Sequence, residues 1–209
     1  MAATIIAPEG WPDTLRREKA LSWIPDFQNQ AGPQGLDGTR QYRNTNGGGM
    51  WRCHFNGEQL FHVQHVRSWL GMEVLLRGGI TPVNVPLMLW RYQPAVGAAI
   101  TSVGGWAARA ITGTIHSAAT IPLPGMHFSD FDGTTYGWRL HRIASAVSAG
   151  SDNYTVTFWP PARFAVANGH ALETENCKCV MRLAASDSMD IELEQRRRGT
   201  PNAEFEEAF

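Results

Sequence analysis

The strongest constraint on the fold lies near the C-terminus, where two runs of residues alternate between apolar and polar side chains. One run covers residues 178–183 and the other covers residues 189–194. Successive side chains of a β-strand point to opposite faces, so each run predicts a strand with one buried face. The turn residues Ala185, Ser186 and Asp187 separate the two runs. This arrangement predicts an antiparallel hairpin.

The middle of the sequence predicts further strands and one helix. Residues 50–55 alternate, and Asn56-Gly57 predicts a turn into a short strand at residues 60–63. Apolar residues at helical spacing over residues 66–77, followed by Gly78-Gly79, predict a helix and its end. Strands are also predicted at the positions that follow: residues 80–90 (an edge strand), 136–143, 154–159 and 205–209.

Together these elements predict a mainly β fold, a split barrel or β-sandwich with one packed α-helix. Residues 1–49 contain several prolines and are predicted to be an irregular arm. Residues 50–209 form the β-rich domain. Within it, residues 91–134 are rich in Gly, Ala and Thr and are predicted to be an insertion of short strands and loops. A short helix is expected at residues 162–168.

The composition favours a subunit that assembles with other chains. Only 18% of the residues are charged, against 43% hydrophobic, and roughly one quarter charged is usual for a globular domain. Interface cores are depleted in charge and enriched in aromatic residues, and the chain has eight Trp. An apolar monomer remains the alternative. The net charge of −1 gives no basic face for binding nucleic acid.

Several His and Asp residues could form a metal or catalytic site, but a simpler interpretation fits each group. His54, His62 and His65 could together bind zinc, but their sequence context suggests polar or interface histidines beside a turn. Asp130 and Asp132 precede Gly133 in a stretch that lacks the full calcium-loop pattern, so a turn is predicted. No nucleophile, phosphate-loop or metalloprotease motif occurs. The sequence therefore predicts no enzyme, no metal and no cofactor.

The environment of the chain is predicted from three further features. Cys53, Cys177 and Cys179 are an odd number without a Cys-x-x-Cys pair, which argues against a disulfide framework. Neither a signal-peptide pattern nor an apolar run long enough to span a membrane is present. We therefore expect synthesis in a reducing cytoplasm and no membrane contact.

Three stretches of the sequence resemble the distal tail proteins of long-tailed (siphovirus) bacteriophages, in the small forms found among phages of proteobacteria. The first is the glycine-rich entry to the first strand, residues 47–52. The second is the predicted helix and the segment after it, residues 69–86. The third is a closing pattern at residues 179–183, 188–193 and 205–208. The resemblance covers roughly half the chain and consists of strand residues without a catalytic motif.

The resemblance implies a structural virion protein with a belt domain that assembles into a hexameric ring at the distal end of the tail tube. The ring would join the tail tube protein to the tail-tip hub or baseplate and leave a channel through which DNA passes. It implies no enzymatic activity. Such a ring closes through heterologous contacts, with unpaired strand edges available for pairing.

Particular residues are expected to serve the ring. Trp11, Trp23, Phe27 and Trp51 are the predicted interface or docking anchors. The carboxylates predicted to line the channel, where negative charge would repel DNA, are Asp190, Glu192 and Glu194. Three other functions compete with this one: a tail tube or minor tail-tip protein, a carbohydrate-binding β-sandwich whose exposed Trp residues stack on sugars, and a small hydrolase with a site assembled from scattered His and Asp residues, which no motif supports.

Overall fold

The computed structural model describes residues 18–27, 29–34, 40–44, 49–57, 59–87, 99–133, 137–194 and 198–208. The fold is mainly β, as predicted. In chain order the strands are β1 (Glu18–Asp26), β2 (Asn29–Gln34), β3 (Arg40–Asn44), β4 (Met50–Gly57), β5 (Val83–Pro86), β6 (Ile100–Val103), β7 (Thr112–His116), β8 (His127–Asp132), β9 (Gly137–Gly150), β10 (Asn153–Trp159), β11 (Ala171–Leu172), β12 (Lys178–Leu183), β13 (Met189–Glu194) and β14 (Arg198–Glu207). The helix is α1 (Val63–Leu76).

The first sheet is open and antiparallel, with the strand order β1-β4-β14-β12-β5. β13 also pairs with β14, over residues 198–203. β12 pairs with the same strand over residues 205–207, and β4 covers its other edge over residues 202–206. β12 and β13 therefore lie end to end along one edge of β14. The predicted hairpin between them is wrong, because each pairs with β14 and not with the other.

α1 covers the apolar face of the first sheet. Its buried side chains are Trp69, Met72 and Leu76. The Trp69 ring stacks on Phe55 of β4 at a centroid distance of 5.7 Å, and its Nε1 donates a hydrogen bond to the Asp190 carbonyl at 3.0 Å. The predicted helix is confirmed, and it starts three residues earlier than expected.

The end of α1 also follows the prediction. A 3₁₀ turn at Arg77–Gly79 ends the helix, with Gly78 at φ 63° and Gly79 at φ 95°. A Cβ atom at Gly79 would lie 3.0 Å from the Leu183 carbonyl oxygen. Glycine at this position allows both the left-handed backbone and the close approach of the helix end to β12.

The second sheet has the strand order β11-β6-β7-β10-β9-β8 and is nearly closed into a barrel. Closure comes from Glu173, directly after β11, and Ser129 of β8. Their backbones exchange two hydrogen bonds, of 2.7 and 2.8 Å. The buried apolar side chains of this barrel are Ile100, Trp106, Ile115, Met126, Phe128, Ile143, Val156, Phe158, Ala162, Val166 and Leu172. Residues 91–134, predicted as an insertion, supply β6, β7 and β8 to it.

Several locally predicted turns and short elements are wrong for a common reason. Asn56-Gly57 is the end of β4, because β1 and β14 pair along both of its edges. Leu60 makes a single bridge to Gly199, so no strand forms at residues 60–63. Residues 162–168 are not helical, because Val166 bridges to Trp106. In each case pairing with a distant strand outweighs the local turn or helix signal.

The N-terminal segment contributes strands that the sequence did not indicate. β1 pairs with β4 from the Glu18–Gly57 pair to the Asp26–Met50 pair, with a register shift between Glu18 and Ala20. β2 and β3 form a separate two-stranded sheet. Residues 1–17 lie outside the described part of the chain. Within the described part, no helix is long and apolar enough to cross a membrane.

Candidate assembly surface and buried junction

A buried charged group joins the barrel to the first sheet. Arg139 of β9 and Glu207 of β14 are 2% and 3% exposed, and Arg139 Nη1 lies 3.1 Å from Glu207 Oε1. The same guanidinium nitrogen also donates to the Ala208 carbonyl. Glu207 Oε2 accepts the Trp51 backbone N–H at 3.2 Å, and Arg163 Nε lies 3.5 Å from Glu207 Oε1. Buried ions are tolerated when they are paired and hydrogen-bonded in this way. We call the group formed by Arg139, Arg163, Glu207 and the backbone of Trp51 and Ala208 the junction.

Trp51, a predicted interface anchor, lies at the centre of the junction. It is fully buried, and its Nε1 donates to the Leu140 carbonyl of β9 at 2.8 Å. Its ring packs edge-on against Trp23 at 6.1 Å and Trp159 at 5.3 Å. Trp23 is also buried, at 7% exposure. The structure corrects the predicted interface role of both residues, because their surface is used inside the chain, and it agrees with the alternative that they dock on their own domain.

The other two predicted anchors differ from these. Phe27 is 47% exposed, and its ring contacts Trp159 at a centroid distance of 4.7 Å. Phe27 therefore docks partly on its own chain and keeps about half of its surface free. Trp11 lies outside the described residues.

Two histidines at the barrel side of the junction were missed by the sequence analysis. His141 and Asp130 are both buried, and His141 Nε2 lies 3.2 Å from Asp130 Oδ1. His141 Nδ1 donates to the Pro160 carbonyl at 2.6 Å. Asp130 was predicted to lie in a turn, and the structure places it in β8 instead. Such a pair resembles a catalytic dyad, but its burial keeps it from any substrate outside the chain.

His127 is held in its neutral form. Arg142 Nε donates to His127 Nε2 at 2.8 Å, so that ring nitrogen must carry a lone pair. Burial, and then the charge of Arg142, lower the pKa of His127 to about 3. The Arg142 guanidinium also lies 4.9 Å from the centre of the Trp51 ring. His127 thus connects the barrel to the aromatic cluster around Trp51.

The predicted channel-lining carboxylates lie on the outer face of the first sheet. Asp190 and Glu192 are exposed and point to the same side of β13, while the side chain of Glu194 lies outside the described residues. An open groove of about 510 Å³ beside them is also lined by Asp187, His54 and Glu204. His54 Nδ1 lies 3.1 Å from Glu204 Oε1. We call the surface formed by Asp187, Asp190, Glu192 and Glu204 the acidic face. Asp187 and Glu204 were not indicated by the sequence.

A set of apolar side chains on and beside α1 faces away from the sheet. Leu70 and Val74 are four residues apart and are therefore neighbours on the helix surface. Leu75 follows Val74 and points about 100° around the helix from it, and Phe61 and Ile80 flank the two ends of the helix. These side chains are between 38% and 79% exposed. We call Phe61, Leu70, Val74, Leu75 and Ile80 the outer α1 face.

The outer α1 face could have been found from the sequence. A helix at a protein surface usually has one apolar side, whereas the 66–77 pattern has apolar residues on more than one side. Val74 and Leu75 are the apolar residues of this pattern that lie off the buried side formed by Trp69, Met72 and Leu76. An exposed group of apolar residues of this kind marks an interaction site more often than a random surface does.

The remaining candidate ligands do not converge. The His62 and His65 rings are in contact at 5.1 Å, and His54 faces Glu204. Across the described ranges, no group of three or more His, Cys, Asp or Glu residues is placed to hold a metal ion. Cys53, Cys177 and Cys179 are buried thiols that form no disulfide with one another, and burial raises the pKa of Cys53 and of Cys179.

No protein-family model matches the chain. No curated protein matches it either.

Proposed function

We propose that the chain is a structural subunit of a long-tailed phage tail, which forms a hexameric ring between the tail tube and the tail-tip hub. The observation that carries the proposal is the outer α1 face, an apolar surface on the open half of the molecule. Val74 and Ile80 are 74% and 79% exposed there. Burial of such side chains between subunits would contribute about 1.5–3 kcal/mol each.

The edges of the first sheet support the same proposal. β1 and β5 are its outermost strands, so each has one edge that pairs with no other described strand. Pro86 in β5 and the register shift in β1 limit uncontrolled pairing of these edges. A heterologous contact between such an edge and a neighbouring copy closes into a ring when its rotation divides a full turn.

In this ring the acidic face would line the channel. Asp187, Asp190, Glu192 and Glu204 lie together on one side of the first sheet. Negative side chains would repel the phosphates of DNA in transit and keep it from adhering.

Charge reversal tests the channel. A phage carrying Asp190→Lys and Glu192→Lys should assemble tails but deliver DNA less efficiently. Glu175→Lys, at an exposed position beyond the barrel strands, is the matched control. If the double variant is as infectious as the parent, these carboxylates do not line the channel.

The competing functions make different predictions. A tail tube protein would form long tubes and not closed rings. A carbohydrate-binding sandwich needs Trp rings open to a sugar. Of the Trp residues that the structure describes, Trp23, Trp51, Trp69 and Trp106 are buried. Trp138 and Trp159 are half-buried. The Lys178 ammonium group contacts the Trp138 ring at 4.2 Å, and the Trp159 ring packs against Phe27 and Trp51.

The assembly itself is tested by measuring the mass of the purified chain by light scattering and imaging the same fraction by negative stain. The proposal predicts closed rings with a central hole and a mass of six times the 23.1 kDa chain. Long tubes would favour the tail tube function. A chain that stays monomeric at high concentration and also fails to close on a tail-tube template would contradict the ring.

A further inference from the structure

Two of the three histidines that could bind zinc by their sequence positions lie together at the start of α1. His62 is exposed and precedes the helix as its N-cap residue, and His65 is half-buried in the first turn. Their ring centres are 5.1 Å apart. His54, the third candidate, is paired with Glu204 instead. A metal site at this point would therefore be built from two imidazoles.

The rings of this pair have nitrogen atoms available for a ligand. Within the described part of the chain, no hydrogen bond or ion pair involves the ring of His62 or of His65. The half-buried His116 differs, because its Nδ1 lies 3.2 Å from Asn153 Oδ1. A neutral imidazole nitrogen is the commonest protein ligand for divalent transition-metal ions. Two such nitrogens close together can bind one ion.

The separation of the two rings fits a shared ion. In a tetrahedral zinc site each ring centre lies about 3.2 Å from the ion, so two bound imidazoles have centres about 5 Å apart. The observed distance of 5.1 Å agrees with this value. The ring planes are inclined at 71°, an angle that rotation about each metal–nitrogen bond leaves free. Rotation of the side chains would therefore direct one nitrogen of each ring at the same ion.

The start of α1 lacks the contacts that usually cap a helix. His62 has an extended backbone, with φ −107° and ψ 134°, and makes no side-chain capping hydrogen bond, and the first turn has no acidic residue. A capping box joins the N-cap to the third helical residue, and these are the positions of His62 and His65. An ion bound by both would join the same two positions. The partial positive charge of the helix start opposes a cation, so both histidines are needed to hold it.

We propose that His62 and His65 form a binding site for a divalent transition-metal ion of the Zn²⁺ class, which fixes the first turn of α1. Hard ions such as Mg²⁺ and Ca²⁺ prefer oxygen ligands and are not expected there. Water takes the other coordination positions, because among the described residues no third His, Cys, Asp or Glu completes the site. Both ligands belong to one chain, so the site does not depend on the proposed ring.

Calorimetric titration of the full metal-free chain with Zn²⁺ tests the site. We expect one ion to bind at the pair in each chain. His62→Gln and His65→Gln should each weaken binding at least about tenfold, since losing a group that only supports a ligand already costs about 10–100-fold. His116→Gln and His54→Gln are the controls and should leave the affinity unchanged. Saturating Zn²⁺ should raise the midpoint of thermal unfolding of the parent and the controls, and not that of the double variant.

Four results would overturn the site. Zn²⁺ that fails to bind the parent at millimolar concentration would exclude it. Unchanged affinity in both single variants would place the ion elsewhere. A loss in only one of them would mean that one histidine binds the ion without the other. A loss in His54→Gln, with His62→Gln and His65→Gln unaffected, would assign the ion to the acidic face.

Discussion

The barrel and the open first sheet differ in what each leaves unpaired. The barrel joins its first and last strands through Ser129 and Glu173 and encloses an apolar core of its own, although Ile121 and Val147 on its surface are exposed. The first sheet has two outer edges, at β1 and β5, that pair with no other described strand, and it carries a helix that is apolar on both sides. The two regions therefore differ in how much of their structure a single chain completes. The barrel closes within one chain, whereas the first sheet and α1 have the surfaces on which the contacts of the proposed ring would form.

The junction between the two regions has the opposite character to the outer α1 face. Arg139 and Glu207 are buried, and the Glu207 carboxylate contacts the Arg139 guanidinium and accepts the Trp51 backbone N–H. Such a pair fixes the relative position of two elements, because displacing either leaves a buried charge unpaired. The outer α1 face is apolar and accessible. Breaking the junction should therefore destabilise the chain, and changing the outer α1 face should affect only assembly.

Removing the carboxylate of Glu207 should have the largest effect. Glu207→Gln leaves the Arg139 and Arg163 guanidinium groups without their shared carboxylate, so we expect the free energy of unfolding to fall by about 3–5 kcal/mol. Chemical denaturation of the purified chain measures this change. Glu204→Gln is the control, because its pair with His54 is solvent-exposed and worth at most about 1 kcal/mol. Equal losses for the two variants would show that the junction does not hold the two sheets together.

The two sides of α1 should respond differently to substitution. Trp69→Phe removes the hydrogen bond to the Asp190 carbonyl and leaves a small cavity, so we expect a loss of about 1–3 kcal/mol in the free energy of unfolding. Val74→Ser on the exposed side should change it by no more than about 0.5 kcal/mol. Both values come from denaturation under conditions where the chain is monomeric. A large loss for Val74→Ser would mean that its side chain is buried within the single chain.

His127 should give the junction a dependence on pH. Its pKa of about 3 in the folded chain lies below the usual 6.5. Below pH 6.5 the unfolded chain therefore binds a proton that the folded chain does not. The free energy of unfolding then falls by up to about 1.4 kcal/mol for each pH unit between 6.5 and 3. His127→Gln, which can still accept a hydrogen bond from Arg142, should lose this part of the dependence.

To isolate His127, the free energy of unfolding of the parent and of the His127→Gln variant is measured at pH 7 and at pH 5, and the losses between the two pH values are compared. If His127→Gln and the parent lose stability equally between the two pH values, His127 is not held neutral at the junction.

The strand and helix faces could be predicted from the sequence because they depend on local periodicity. The buried positions of β4 (Trp51, Cys53 and Phe55) follow from strict alternation, as does the burial of Val156 and Phe158 in β10. The partners of the strands could not be predicted in the same way. Alternation shows which face of a strand is buried, but it does not show that β12 and β13 share β14.

The candidate site was predicted less well, for a related reason. Trp51 and Val74 are both apolar, and only the packed structure shows that one is enclosed and the other exposed. Asp130 was assigned to a turn because Gly133 follows it, while the His141 side chain that pairs with it lies on another strand. Asp190 and Glu192 were placed correctly on one exposed face, because two carboxylates two residues apart on a strand point the same way.

The most direct test of the account is the mass of the Val74→Glu variant in solution. A charge at this position should prevent burial of the outer α1 face without affecting the junction. Light scattering at equal concentration should give six times the 23.1 kDa chain mass for the parent and for a Val147→Glu control on the barrel, and the mass of a single chain for Val74→Glu. A Val74→Glu variant that assembles as fully as the parent would contradict the claim that the outer α1 face joins the subunits.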